Sequence, residues 1–388
     1  MTMAYELRLL GALMMTTLGA EAFPVPVSLH MLIASMSTIW LGSFGALKSS
    51  VRKDAGKPAV AAEEVHHLTR REVYMSPVLG SVLLFGLYIV YKLCPKYYVN
   101  LLVRAYFVVF GVLSVGDQVA YMVKSLCKPK PWHSEPLLQF KIPCYELLDK
   151  TFGLTPEGFE GGDPADMAMS PLELVGYLFG TMVGVWYIGV NHWIANNIFG
   201  VAFSLQAIRA LSIGSFFNGA ILLSGLFIYD IFWVFGTDVM VTVAKSFDAP
   251  IKLLFPRWTQ DSESGKWQSS ILGLGDIVMP GIFVALMLRF DHYTRVKLGK
   301  RGGAPKDSEG FLNRYPYFTT TMVGYALGLA TTIAIMTIFN AAQPALLYLV
   351  PSCIGAAVLC ALRLGEFSEL WKYEEGEEAD EKAAKKTE

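Results

Sequence analysis

Two aspartates stand inside otherwise apolar runs: Asp230 in Gly225-Leu-Phe-Ile-Tyr-Asp-Ile-Phe-Trp-Val-Phe235, and Asp276 in Leu272-Gly-Leu-Gly-Asp-Ile-Val-Met-Pro280. A carboxylate at mid-depth in a lipid-spanning helix costs about 2.5–3.5 kcal/mol on insertion scales, so it persists only with a partner or a task. Two such groups brought close in a low-dielectric site share one proton and supply a general acid and a general base together. The ionised member takes a proton from water attacking a peptide carbonyl, while the protonated member donates to the developing oxyanion. That chemistry hydrolyses peptide bonds and needs no metal or organic cofactor. The same pair could instead relay protons or bind a cation, as in a coupled transporter or channel.

The neighbours of the aspartates narrow the choice. Gly273 and Gly275 enclose Leu274 just before Asp276, and glycine weakens a helix unless backbone must approach something closely. They either let an extended substrate pass beside Asp276 or let two helices pack tightly. In Gln343-Pro-Ala-Leu346 a proline stands where a helix must begin or break; the segment is either a helix start or a short extended element offering backbone groups to a substrate strand. Ile251 to Phe255 could receive such a strand in the same way. No HExxH, GxSG or Asp-Thr/Ser-Gly pattern occurs for other protease chemistries, and the 6 histidines are scattered, with His192 and Trp193 read as interfacial anchors. The 5 cysteines, Cys94, Cys127, Cys144, Cys353 and Cys360, have no CxxC spacing and are read as ordinary thiols. A net charge of -1 excludes nucleic acid as an expected partner.

The elements that must position these groups are membrane spans. Of the 388 residues, 53% are hydrophobic and only 17% charged, the composition of an all-helical polytopic membrane protein. Apolar runs long enough to cross a bilayer lie at 27–47, 76–94, 99–123, 169–190, 193–210, 212–235, 268–289, 316–339 and 344–363, about nine in all. The fourth and fifth are nearly fused. Residues 1–26 form an N-terminal segment in which 9–20 is read as a cleaved signal peptide or an interfacial stretch. Residues 27–363 form the membrane domain and 364–388 a cytosolic acidic tail, in which 374–381 is read as a solvated, disordered end and Lys385 and Lys386 resemble a dilysine retrieval pair. With the N-terminus lumenal and the C-terminus cytosolic, 24 of the 32 basic residues fall on the cytosolic side, as the positive-inside rule requires. Asp230 then lies about 9 Å and Asp276 about 12 Å from the same membrane face at 1.5 Å per residue. Small-residue ladders at Gly176, Gly180 and Gly184 and at Gly324 and Gly328 predict close helix packing.

The Tyr229-Asp230 pair, Gly273-Leu-Gly-Asp276 and Pro344-Ala-Leu346 resemble the YD, GxGD and PAL signatures of the intramembrane aspartyl proteases, the group that holds the presenilins and signal peptide peptidase. His192-Trp-Ile-Ala-Asn-Asn-Ile-Phe-Gly200, Phe227 to Pro256 and Gln343 to Pro351 are similar to the signal peptide peptidase branch. The likeness covers about 76–363, and residues 1–26 fit it poorly. It implies that Asp230 and Asp276 are the catalytic dyad. Tyr229, Gly273, Leu274, Gly275, Gln343, Pro344, Ala345 and Leu346 would shape the substrate site. The implied substrates are signal peptides left in the endoplasmic reticulum membrane and transmembrane helices of N-in orientation. The lipid bilayer, a second copy of the chain and degradation-complex subunits are the partners to expect. A non-catalytic scaffold for membrane-protein turnover is a third class, and it would tolerate loss of either aspartate.

Overall fold

The computed structural model describes residues 26–54, 65–127, 138–141, 166–237, 239–247, 249–260, 267–296, 298–299, 310–339 and 343–375. The expected leader at 9–20, the acidic run after Glu375, the dilysine pair and Cys144 lie outside these residues. Among them, nine helices have 18 residues or more: α1 Val27–Asp54, α2 Arg70–Leu93, α3 Lys96–Cys127, α4 Pro171–Val190, α5 Trp193–Ala210, α6 Phe216–Phe235, and, after a short α7 at Val239–Ser246, α8 Gly275–Val296, then α10 Pro316–Phe339 and α11 Leu346–Leu364. The short α9 spans Phe311–Arg314 and α12 Phe367–Lys372. Each long helix overlaps one expected span, and seven are long and apolar enough to cross a membrane on their own. The chain is a multi-pass membrane protein. The two outside those seven are α5 and α8. In α8 the cause is charge, since it carries Asp276, Arg289, Asp291 and Arg295, and such groups are tolerated where protein rather than lipid surrounds them.

Among the described residues three two-stranded sheets accompany the helices: β1 His66–His67 with β4 Leu211–Ser212, β2 Leu138–Lys141 with β3 Asp166–Met169, and β5 Lys252–Gln260 with β6 Trp267–Gly273. The last corrects the expected span at 268–289. Residues 267–273 are strand, and the helix starts at Gly275 and runs to Val296. An apolar stretch such as Ser270-Ile-Leu-Gly273 carries no periodicity that separates a short strand from a helix end. Asp276 is therefore in the first turn of its helix, and its depth is set by the strand before it. The connection between the first two expected spans, 48–75, is also shorter than those spans imply, because α1 continues to Asp54 and α2 begins at Arg70 under a capping box formed by Thr69 and Glu72.

Two compact units are present, Met1–Phe107 with Asn196–Glu388, and Val108–Ala195. In the smaller unit two glycines of the predicted ladder, Gly176 and Gly180, make close contacts. A Cβ on Gly176 would stand 2.3 Å from the Gly116 carbonyl oxygen, and one on Gly180 2.5 Å from that of Val112. Beside them the Tyr177 hydroxyl donates to Asp117 at 2.8 Å. Asn191, in the left-handed region at φ 52°, ends α4 and separates it from α5. His192 stacks between Trp186 and Trp193.

In the larger unit α8 is the central helix, buried without interruption from Pro280 to Asp291. Small residues let its neighbours close in. Gly42 of α1 and Gly281 of α8 both abut Ile208 of α5, Gly219 of α6 abuts Phe283, and the ladder Gly324–Gly328 of α10 lies against Leu349 and Ser352 of α11. Asp291 of α8 accepts from the Tyr317 and Phe318 N–H groups at 3.3 and 2.8 Å, so it caps the orphan donors at the start of α10.

The expected tail begins as a folded segment, and the run read as solvated is engaged by the fold at its start. Residues 366–372 form and cap α12, and Glu375 beyond it is held by the buried Arg289, whose Nε donates to both carboxylate oxygens at 2.9 and 3.0 Å. Ser212 and Tyr373 also donate to Glu375, each at 2.7 Å. The segment after α11 is thus tied to the C-terminal half of α8 and to the strand that precedes α6. A buried arginine supplies the reason, since it requires an acid.

Candidate active site

Asp230 comes inward by helical spacing. The buried positions of α6 include Gly219, Leu222, Leu223, Asp230 and Trp233, one stripe at three- and four-residue intervals, and Asp230 is only 6% exposed. Its Oδ2 accepts a hydrogen bond of 3.0 Å from the Leu346 N–H. Leu346 is the first residue of α11, where backbone N–H groups have no partner within their own helix and the dipole favours an anion. The Gln343-Pro-Ala-Leu346 segment is therefore a helix start. Pro344 is buried, Ala345 already has helical dihedrals, and the Pro344 carbonyl accepts from Leu347 at 3.2 Å.

Asp276 reaches the same region from the other direction. The Leu274 N–H donates to the Ile251 carbonyl at 3.0 Å as the last rung of the β5–β6 ladder, and the Leu274 carbonyl accepts from Ile277 and Val278 as α8 begins. Asp276 is fixed at that turn from strand to helix and lies within the field of the Asp230 charge. A Cβ built on Gly273 would stand 3.3 Å from Asp276 Oδ2, whereas one on Gly275 meets nothing within 4 Å. Of the two readings offered for the glycines, helix packing fits neither position. Gly273 lets backbone lie against the carboxylate, and Gly275 borders open space.

The structure thus brings Asp230, Asp276, Gly273 and Leu346 together. Tyr229, within the field of the neighbouring Asp230, turns its ring toward α2: the ring lies 3.5 Å from the Cβ position of Gly80 and near Trp233, whose indole donates to Ser81. Leu274 packs toward Gly200 of α5, and Gln343 and Ala345 are half-buried beside the start of α11.

One sequence expectation is revised. Lys252 to Phe255 of the segment at Ile251 to Phe255 do form a strand, but its outer edge is occupied. Asn197 accepts from the Leu254 N–H and donates to the Leu254 carbonyl, both at 2.8 Å, and Asn196 donates to the Lys252 carbonyl at 2.7 Å. Sequence reasoning missed these two residues, although adjacent asparagines in an apolar helix were a readable signal. It also missed Tyr325 of α10, fully buried within the field of Asp276 and beside Ser35 and Cys353; a tyrosine among apolar residues carries no such signal.

Comparison with known proteins gives the family of the chain. Residues 61–377 match the family described as signal peptide peptidase. The human signal peptide peptidase is 42% identical over 337 residues, covering 87% of this chain and 81% of that protein. Intramembrane protease 2 of Caenorhabditis elegans is 48% identical over 217 residues, 55% of this chain and 45% of that one. A probable intramembrane protease of Schizosaccharomyces pombe is 31% identical over 322 residues, 82% and 88% of the two chains. A solved structure of a presenilin family intramembrane aspartate protease aligns with 86% of this chain and 99% of its own, at 15% identity and a TM-score of 0.42. With its family model covering most of the chain and its two acidic motifs meeting in the membrane domain, the protein belongs to the signal peptide peptidase family and is an intramembrane aspartic endopeptidase.

Proposed function

We propose that Asp230 and Asp276 are the catalytic dyad and hydrolyse peptide bonds inside transmembrane helices. The observation that carries the reading is that the buried Asp230 carboxylate accepts from the Leu346 N–H and interacts electrostatically with Asp276. That N–H holds Oδ2 and leaves Oδ1 for water. The ionised carboxylate takes a proton from water as the water oxygen bonds to the scissile carbonyl carbon. The protonated carboxyl gives its proton to the carbonyl oxygen, and a tetrahedral diol forms. Collapse breaks the C–N bond as a proton passes to the departing nitrogen, and the dyad regains its single shared proton.

A helix is closed to hydrolysis because its carbonyls are bonded and shielded, so the substrate must unwind locally. The outer edge of β6, ending at Gly273 beside Asp276, suits an unwound strand. The substrates are remnant signal peptides and N-in membrane proteins of the endoplasmic reticulum. The basic-residue distribution supports a lumenal N-terminus and a cytosolic C-terminus. Mass spectrometry of a signal-sequence peptide incubated with detergent-purified enzyme tests the reading. The wild type cuts within the apolar core of the peptide, and Asp230→Asn and Asp276→Asn leave it whole while folding normally. Full cleavage by either variant refutes it.

A further inference from the structure

Two neighbouring asparagines buried in a membrane helix are costly unless their amides are bonded. Asn196 and Asn197 of α5 are each 5% exposed; Asn196 donates to Asn197 Oδ1 at 3.3 Å, and their other bonds go to a single strand edge. Asn197 satisfies both backbone groups of Leu254, as a neighbouring strand would, and Asn196 bonds the Lys252 carbonyl. One turn further along, a Cβ on Gly200 would stand 2.7 Å from Leu253 Cδ2 and 3.7 Å from the Pro250 carbonyl oxygen. The bare glycine lets α5 approach closely enough for short amide side chains to reach the backbone.

The ladder pattern gives this clamp its consequence. Lys252 pairs with Gly273, Leu254 with Ile271 and Pro256 with Ser269. Antiparallel strands alternate between residues that bond the partner strand and residues that face away. Lys252 and Leu254 face away, since the asparagines take their backbone groups, and Pro256 in the same set has no N–H to offer. The opposite set, Ser269, Ile271 and Gly273, therefore turns its backbone groups to the outer side of β6, where Ile271 is 52% exposed. This edge leads to Asp276.

We propose that Asn196 and Asn197 are positioning residues that close the β5 edge of the hairpin, so that an unwound substrate strand adds only along Ser269–Gly273, in the register that delivers its scissile bond to Asp276. The proposal rests on the reading of Asp230 and Asp276 as the catalytic pair. A clamp of this kind acts on kcat and on the choice of bond, whereas a group that only supports the fold alters the amount of active enzyme and leaves the products the same.

The test compares wild type, Asn197→Asp and Asn197→Leu on one transmembrane peptide. Asn197→Asp keeps the acceptor for the Leu254 N–H and loses the donor; Asn197→Leu loses both. For Asn197→Leu, kcat falls about 10- to 100-fold for a misplacement approaching 1 Å, KM changes little, and new cuts appear two residues from the native bond, because strand pairing slips in steps of two. Asn197→Asp lies between. A hydroxyl-bearing transition-state mimic too short to pair with β6 still binds both variants as it binds wild type. Native products at the native kcat in Asn197→Leu overturn the proposal, and so does loss of the mimic in step with loss of cleavage.

A crosslink carries the same test with both asparagines intact. In a Cys94→Ser, Asp276→Asn chain, a substrate peptide with one cysteine beside its cleavage site should form a disulfide with Ile271→Cys on β6 and not with Arg257→Cys on β5. Two strand spacings separate the second pair by about 9–10 Å, beyond disulfide reach. Equal or preferential crosslinking to Arg257→Cys also overturns it. If the Asp276→Asn chain cuts the peptide, the catalytic reading fails instead, and the two failures are distinct.

Discussion

Replacing Gly273 with alanine isolates the contact between backbone and carboxylate at the strand–helix turn. The added Cβ would stand 3.3 Å from Asp276 Oδ2 and 3.9 Å from its Cγ, with no other atom within 4 Å, so the carboxylate must yield by a few tenths of an ångström. With a misplacement of 1 Å in a catalytic group costing about 100-fold, a shift of about 0.3 Å lowers kcat about fourfold. Gly273 does not have a positive φ, so alanine meets no backbone strain there and narrows the unfolded ensemble, contributing about 0.4–1 kcal/mol of stability. The expected variant is slower and no less stable. Gly275→Ala is the control, because its Cβ enters open space; it leaves kcat near wild type and acts, if at all, through KM as substrate meets the new methyl. The assay is steady-state cleavage of a transmembrane peptide in proteoliposomes, with thermal unfolding measured in parallel. A Gly273→Ala enzyme with wild-type kcat, or a drop in kcat that tracks a drop in thermal midpoint, would refute the reasoning.

Three further outcomes follow from the packing. Burial alone would raise the Glu375 carboxyl, but the Arg289 guanidinium and the hydrogen bonds from Tyr373 and Ser212 outweigh it and hold the group below the usual carboxylate range. A depressed folded value means that the stabilisation is complete above the unfolded value of about 4.3 and is lost as pH falls through the folded one. Glu375→Gln should accordingly lower the thermal midpoint at pH 7, and its gap to wild type should close on acidification below about pH 4. Gly180→Leu forces a side chain against the Val112 backbone, 2.5 Å from the Cβ position, and should cost about 1–3 kcal/mol of stability, read as a lower midpoint in detergent. Asp291→Asn removes the charge that caps α10 and should cost about 1 kcal/mol, while the cleaved bond stays the same in product mass spectra.

Several features of this protein were settled by residue type and local spacing. The membrane class, the approximate positions of most long helices and the two aspartates as candidate site residues could be read directly, because hydropathy and the penalty for a buried carboxylate act on a residue wherever its helix packs. The glycine ladders were readable for the same reason, since only small residues permit backbones to touch. Tertiary structure decided the rest. Ser270 to Gly273 became strand because β5 was present to complete its ladder, and nothing within the segment itself distinguishes strand from helix. The donor to Asp230 is the backbone N–H of Leu346, a group that every residue but proline carries, so only the docking of α11 against α6 could assign it. Asn196 and Asn197 acquired a role only when α5 met a strand edge more than 50 residues away in the chain. Glu375 left the expected solvated tail because Arg289 was buried and required a charge. Each of these depends on pairing between groups distant in sequence, which chain closure decides and local composition does not record.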